Sequence, residues 1–345
     1  MEPLGRGASL GEDFGAGRIG RRALLRSMLV LGGGLALAGC GAVAQTAPGS
    51  ASGRMTGGKV SVRWLGGGVV ELATPDYKQI AYLDAWVWNN AGWSRFGVSK
   101  PPEYASKDGF VQYVAGKKPE AIFVLLTHDH GDHIGDYFEM LQGLTAAGLP
   151  VMTAGQSDLI RKGLVDDFKA AGLDPAKVVV NSGAGINFGG IAKHGAMTAR
   201  LVPAVHSNLH GFPSAGFMLD IGGVRAYLSG DTDLYGEMKT LGERYQPNLA
   251  IVCVGDGPFT MGPQDAARAC QWMGVSQAVP VHFAHNALVL GTNASEDFRS
   301  ALASIAPRRD REHHETRRHA TDPDLTRTVG PAHARSCIFP ETLTR

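Results

Sequence analysis

Residues 127–133 read Thr127-His128-Asp129-His130-Gly131-Asp132-His133, so His128, His130, Asp132 and His133 put four metal-ligating side chains within six positions. Further along stand His206, Asp231 in Ser229-Gly230-Asp231-Thr232, and His282. Imidazole nitrogens and carboxylate oxygens, with no thiolate among them, suit zinc, manganese or iron. His128 and His130 are two apart and can turn to one metal from an extended loop. The adjacent Asp132 and His133 can reach a second ion beside it, and a carboxylate such as Asp231 can bridge two cations with its two oxygens. Two ions roughly 3.5–4 Å apart can hold a shared hydroxide and clamp the attacking and leaving oxygens of a hydrolysis. A lone histidine is usually an ordinary loop residue. Four ligands in so short a string, with three more downstream, are poorly explained that way.

Something must bring these clusters together, and the sequence supplies it. Each cluster follows directly on a short apolar run: residues 121–126, 201–205, 226–228 and 278–281. Runs of this length read as buried strands. Their ligands therefore lie at strand C-terminal ends, where layered α/β proteins build sites. Strands are expected near 59–65, 68–73, 79–84, 122–127, 150–153, 177–180, 200–205, 216–221, 224–229, 249–254 and 278–282. Helices are expected near 133–147, 156–171, 233–245, 263–274 and 294–304, with Pro263 as a start signal for the fourth.

Together, His128, His130, Asp132, His133, His206, Asp231 and His282 resemble the seven ligands of the metallo-β-lactamase superfamily. The resemblance implies that His128, His130 and His206 hold one metal. It implies that Asp132, His133 and His282 hold the other, with Asp231 bridging. A more specific resemblance is to poorly characterised metal-dependent hydrolases, kin to the ascorbate-6-phosphate lactonases. Three stretches carry it: Trp64-Leu65-Gly66, Gly230-Asp231-Thr232-Asp233-Leu234-Tyr235-Gly236-Glu237-Met238, and Gly257-Pro258-Phe259-Thr260-Met261-Gly262-Pro263. It spans about residues 59–305 and implies an α/β fold, a four-layer αββα sandwich. Members of that group usually carry a histidine after the first Trp-Leu-Gly. Gly67 and Gly68 stand there in this chain, so a ligand or substrate contact is missing from the pattern. The segment 86–119 is also longer than expected. Its Trp86, Trp88, Trp93, Phe96, Tyr104, Phe110 and Tyr113 either rim a substrate cleft or pack onto the domain.

The ends of the chain read differently. Arg21-Arg22-Ala23-Leu24-Leu25-Arg26 resembles a twin-arginine export signal, and the apolar stretch 28–38 after it is too short to span a bilayer but fits a signal core. Leu37-Ala38-Gly39-Cys40 resembles a lipoprotein box, with Cys40 as the lipidated residue. Ala42-Val43-Ala44 offers an alternative cleavage site. Residues 1–45 thus read as a signal peptide and 46–58, rich in Gly, Ser, Thr and Ala, as a flexible tether. Residues 59–306 read as the hydrolase domain. From Pro307 the chain turns charge-mixed and poor in apolar residues, so 307–345 read as a disordered tail. Related proteins usually finish with a strand there, and none is evident.

The chain has 345 residues, is 44% hydrophobic and carries a formal net charge of +1, which suits one large soluble domain and gives no reason to expect nucleic acid. Its four cysteines make no disulfide framework, and Cys253 and Cys270 read as small buried hydrophobes. The expected protein is an exported, lipid-anchored, dinuclear metal-dependent hydrolase. It would use a metal-bridging hydroxide on a small-molecule ester, lactone or phosphodiester. Its cofactors would be two divalent transition metal ions, zinc first, with manganese or iron as alternatives. Asp132 would orient the nucleophile and pass a proton to the leaving group. Asp129 would support a ligand histidine, and His210 and His285 could contact substrate. A non-catalytic metal- or ligand-binding lipoprotein on the same fold is the alternative.

Overall fold

The structure, a computed structural model, describes residues 57–95, 99–255, 259–283, 294–305 and 336–337. Strands and helices follow in the order β1 Ser61–Trp64, β2 Val70–Ala73, β3 Gln79–Leu83, α1 Gly92–Arg95, α2 Lys107–Lys117, β4 Ala121–Leu125, α3 Gly131–Ile134, α4 Tyr137–Ala146 and β5 Val151–Ala154. Then come α5 Val165–Ala170, α6 Pro175–Val178, β6 Ile191–His194, β7 Met197–Pro203, β8 Ala215–Ile221 and β9 Val224–Leu228. The last are α7 Glu237–Tyr245, β10 Leu249–Cys253, α8 Pro263–Met273, β11 Gln277–Val281, α9 Ala294–Ile305 and β12 Ser336–Cys337.

The strands form two mixed sheets, one ordered β1-β2-β3-β4-β5 and the other β12-β11-β10-β9-β8-β7-β6. Side chains alternate across each strand, and here both faces find apolar partners. In β4, Ala121, Phe123 and Leu125 join the core between the sheets, together with Ala199, Leu201, Phe217 and Leu219. Ile122 and Val124 of the same strand point the other way and pack with Phe110 of α2, Met140 and Leu141 of α4 and Phe168 of α5. On the far side, Ala266, Cys270 and Met273 of α8 and Phe298 and Leu302 of α9 complete the larger cluster. The architecture is the expected four-layer αββα sandwich. Strands buried on both faces explain why the runs before His128, Asp231 and His282 are continuously apolar rather than alternating, whereas β7, before His206, is buried on alternate residues over most of its length. Cys253 and Cys270 are both buried, as read from the sequence.

Several elements depart from expectation for identifiable reasons. Segment 86–119 is not an open loop, because α2 runs through it from a Ser106 N-cap whose side chain accepts from Gly109 N–H at 3.1 Å. The pattern hides this helix, since only Phe110 and Val114 are buried and the interior glycines Gly109 and Gly116 are weak helix formers. Tyr104 and Tyr113 of this segment close, with Tyr82 of β3, on a buried carboxylate: Glu71 accepts from Tyr82 at 2.8 Å, Tyr113 at 3.0 Å and Tyr104 at 3.4 Å. Residues expected as a strand near 177–180 begin instead in α6, started by the Asp174 cap and Pro175. Helix 156–171 is split by a π-helical turn, Leu159–Gly163. The strand near 200–205 is the second arm of a hairpin that begins at β6 and ends at Pro203.

Within 307–345, read from the sequence as a disordered tail, the described residues Ser336–Cys337 add a short parallel strand to β11. Backbone pairing at a sheet edge needs no apolar pattern, so composition could not show it. The rest of that tail, the signal 1–45 with Cys40, and the first residues of the tether lie outside the described residues.

Phe217 sits fully buried between the sheets. Phe217→Ala should lower unfolding stability by about 3–5 kcal/mol. Urea denaturation followed by circular dichroism checks this; a loss below about 1 kcal/mol would contradict the placement.

Candidate metal centre

The topology delivers the ligands to one place. β7 and β9 both run antiparallel to β8, and β9, β10 and β11 are mutually parallel, so β7, β9 and β11 end at one edge of their sheet. His206 follows β7, Asp231 follows β9 and His282 follows β11. In the other sheet β3 and β4 are parallel. After β4 the chain passes Thr127 and His128 and turns into the short helix α3, which carries Asp132 and His133. Ala215 N–H donates to Thr127 C=O at 3.1 Å, which ties the two sheets together beside the ligands.

Two groups of donor atoms result, His128 with His130 and His206, and Asp132 with His133, Asp231 and His282. His130 Nδ1 lies 3.0 Å from His128 Nε2 and 3.3 Å from His206 Nε2. Asp231 Oδ2 lies 3.1 Å from His282 Nε2 and 3.2 Å from His133 Nε2, while Asp132 Oδ2 is 3.2 Å from His282 Nε2. A tetrahedron with metal–nitrogen bonds of about 2.0–2.1 Å has edges of roughly 3.3–3.4 Å. The observed spacings are of that size. Asp231 Oδ2 is also 3.7 Å from His206 Nε2, so the one carboxylate reaches both groups.

These residues fit a metal. Three imidazole nitrogens whose lone pairs converge need a shared cation or proton, and Asp231 Oδ1 is buried with no hydrogen-bond partner. The backbone makes room as well. A Cβ on Gly68 would stand 2.9 Å from His133 Cε1 and 3.3 Å from His282 Cδ2, so only glycine lets the chain lie against both ligand rings. Among the protein groups, charge is strongly coupled. Burial raises the cost of charging the Asp231 carboxyl, but His282 and His133 outweigh it and hold it well below the usual range. Burial opposes the His282 imidazolium, yet Asp231 and Asp132 lift it to about 9. Burial and neighbouring His133 push His128 well below its ordinary value.

Around the ligands sits a set of positioning contacts that the sequence did not reveal. Asp84, fully buried at the end of β3, accepts from His133 Nδ1 at 2.7 Å and from Thr127 N–H at 2.8 Å. This fixes which His133 nitrogen faces the metal group. Thr127 Oγ1 lies 3.0 Å from His128 Nδ1. Gly67 C=O accepts from His282 N–H at 2.8 Å. Gly67 and Gly68, the departure from the resembled pattern, thus touch the site through backbone and closeness rather than through a side chain. Asp84 had one sequence signal: it ends an apolar run, as the ligands do.

Other expectations resolve differently. The Asp129 carboxylate accepts from Leu209 N–H at 2.7 Å and His210 N–H at 3.1 Å and pairs with His210 Nδ1. It anchors the loop after His206 instead of supporting a ligand histidine. His210 is accordingly spent on Asp129 and is not among the residues lining the cavity over the ligands. His285 lies outside the described residues. The aromatic segment does not rim that cavity either. Trp93 packs 5.4 Å from Trp64, and Trp88, Tyr104 and Phe110 pack together on the outer face of the first sheet. Phe96 lies outside the described residues. The cavity, about 710 Å³, is lined by ligand residues with Val205, Ser207, Asp233, Phe259 and Thr260.

Known proteins show the family and the fold. Residues 86–283 match the family described as Beta-lactamase superfamily domain. A UPF0173 metal-dependent hydrolase of Thermodesulfovibrio yellowstonii is 31% identical over 260 residues, covering 71% of this chain and 86% of the relative. One from Cupriavidus metallidurans is 32% identical over 263 residues, covering 72% of this chain and 81% of its own. Among solved structures, Igni18, a metallo hydrolase of Ignicoccus hospitalis, superposes with a TM-score of 0.56 at 21% identity, covering 79% of this chain and all of Igni18.

Asp84→Asn keeps the shape but removes the charge facing His133. It should weaken metal retention about 10–100-fold with an unchanged circular dichroism spectrum. Competition with a chromogenic chelator reads this; retention equal to wild type would remove Asp84 from the metal site.

Proposed function

The chain belongs to the beta-lactamase superfamily and, within it, to the UPF0173 metal-dependent hydrolases, and on that premise we propose a dinuclear hydrolase acting on an ester, lactone or phosphodiester. The observation that carries the reading is Asp231 within reach of both donor groups. His128, His130 and His206 would hold one ion, and Asp132, His133 and His282 the other, with Asp231 shared. The donor set suits zinc first, with manganese or iron also compatible. Divalent ions bound there would supply Lewis acidity, lowering the pKa of a bound water toward neutrality and polarising the bond to be cut.

The chain's own groups do the rest. Hydrolysis breaks the acyl C–O or P–O bond, puts the water oxygen in its place and delivers a proton to the leaving alcohol. Asp132 lines the cavity and would orient the water and carry that proton. Asp84, Thr127 and the Gly67 carbonyl hold His133, His128 and His282 in fixed orientation, so little reorganisation is needed on the reaction path. The lactone is retained because of the sequence resemblance to the ascorbate-6-phosphate lactonases.

Purified protein should contain close to two equivalents of transition metal. Asp231→Ala should reduce that count and lower turnover of generic ester, lactone and phosphodiester substrates by at least about 10³-fold. Full activity with no more than one ion bound would rule out the dinuclear reading. Two ions bound with no turnover on the whole panel would favour a non-catalytic binding protein.

Export is proposed from the same sequence signals, Arg21-Arg22 and Cys40. Arg21→Lys with Arg22→Lys should leave precursor in the cytoplasm, and Cys40→Ala should release mature protein from the membrane fraction. Membrane retention unaffected by Cys40→Ala would count against the lipid anchor.

A further inference from the structure

The cavity over the metal ligands has a polar floor and a partly apolar wall. Val205 and Phe259 are the hydrophobic residues among its described lining, and they are 52% and 46% exposed. Leu209, two residues beyond the lining residue Ser207, is 70% exposed. Only Phe188 and Ile191 are comparably exposed among the other large hydrophobics described. Single exposed apolar residues are ordinary, but a group beside a catalytic cavity marks a binding surface.

Neither wall residue is on a free flap. Val205 N–H donates to Thr232 Oγ1 at 2.9 Å, and its C=O accepts from Asp233 N–H at 3.0 Å. Met261 N–H donates to Thr232 C=O at 2.9 Å, which tethers the stretch carrying Phe259. Both segments are therefore fastened to the residue next to Asp231. The apolar surface is held in place before anything binds, so little ordering entropy opposes its use.

Charge narrows the choice further. No lysine or arginine is among the described residues lining the cavity, and Asp233 adds a carboxylate beyond those of the ligand set. Away from the metal ligands, a second anionic group on a substrate would meet no lysine or arginine and one like charge among the described lining residues.

We propose that this site takes esters or lactones whose acyl part is an uncharged, apolar chain lying on Val205 and Phe259. The proposal rests on the hydrolase reading above and specifies its substrate. A fully desolvated methylene is worth roughly fourfold in affinity. A wall about half open to water should give roughly twofold per methylene over the first few carbons.

The test uses the full chain loaded with zinc. Titration calorimetry with acetate, butyrate, hexanoate and octanoate measures binding of the product acids. kcat/KM is measured in parallel for the matching p-nitrophenyl esters. Wild type should bind octanoate at least about tenfold more tightly than acetate, and the esters should follow the same trend. The double variant Val205→Ser with Phe259→Ser, its metal content checked, should flatten both trends to within about twofold. A flat trend in wild type, or a slope unchanged in the double variant, overturns the proposal. If no ester turns over while chain-dependent binding persists and the double variant abolishes it, the apolar wall stands and the hydrolase reading fails.

Discussion

Lone pairs that converge must be balanced by positive charge, and this requirement governs the structure. His130 Nδ1 lies 3.0 Å from His128 Nε2, and Asp231 Oδ2 lies 3.1 and 3.2 Å from two further imidazoles. In a buried, low-dielectric setting such a cluster is costly unless a cation or protons sit within it. Holding it therefore demands a rigid frame. Strands buried on both faces provide one, because packed interiors deform little.

The frame carries local backbone conformations that few residues accept. Asp84 and His282 both lie in the left-handed region, with φ of 59° and 63°. Such conformations cost on the order of 1 kcal/mol each, and aspartate and histidine tolerate them better than most. One positions His133 and the other is a candidate ligand, so the strain coincides with the site. Gly230, at φ 59°, lies where a Cβ would stand 2.8 Å from Ala215 C=O and 2.9 Å from Thr127 Cβ, the junction where the two sheets are tied. A side chain there would pry apart the strand ends that bring Asp231 to His128.

The same loops that carry ligands also shape what surrounds them. The segment after His206 is pinned from below by Asp129 through Leu209 and His210, and Val205 is fastened to Thr232 and Asp233. Metal ligation and the cavity wall are thus parts of one hydrogen-bonded unit. A change to Thr232 would disturb both, although Thr232 is itself no ligand. The aromatic segment serves elsewhere: its Tyr104 and Tyr113 donate to Glu71 and its rings cover the outer face of the first sheet.

Residue type and position alone pointed to the candidate ligand set, because metal coordination requires specific atoms and the short spacing in His128–His133 is itself the signal. The apolar runs before each cluster likewise announced buried strands ending at ligands, and the resemblance carried the layer order. What needed the tertiary structure were contacts made across the chain by groups with no pattern of their own. Asp84 supports His133 from another strand, and Gly67 contributes a carbonyl that any residue would possess. Asp129 turned out to hold a loop, since its partners Leu209 and His210 are near only after folding. Helix α2 was hidden because its two-residue buried stripe and its glycines give a weak period. The strand at Ser336–Cys337 was hidden because edge pairing uses backbone alone. Side-chain chemistry is written locally in a sequence, whereas backbone donors and long-range partners acquire meaning only from the fold that gathers them.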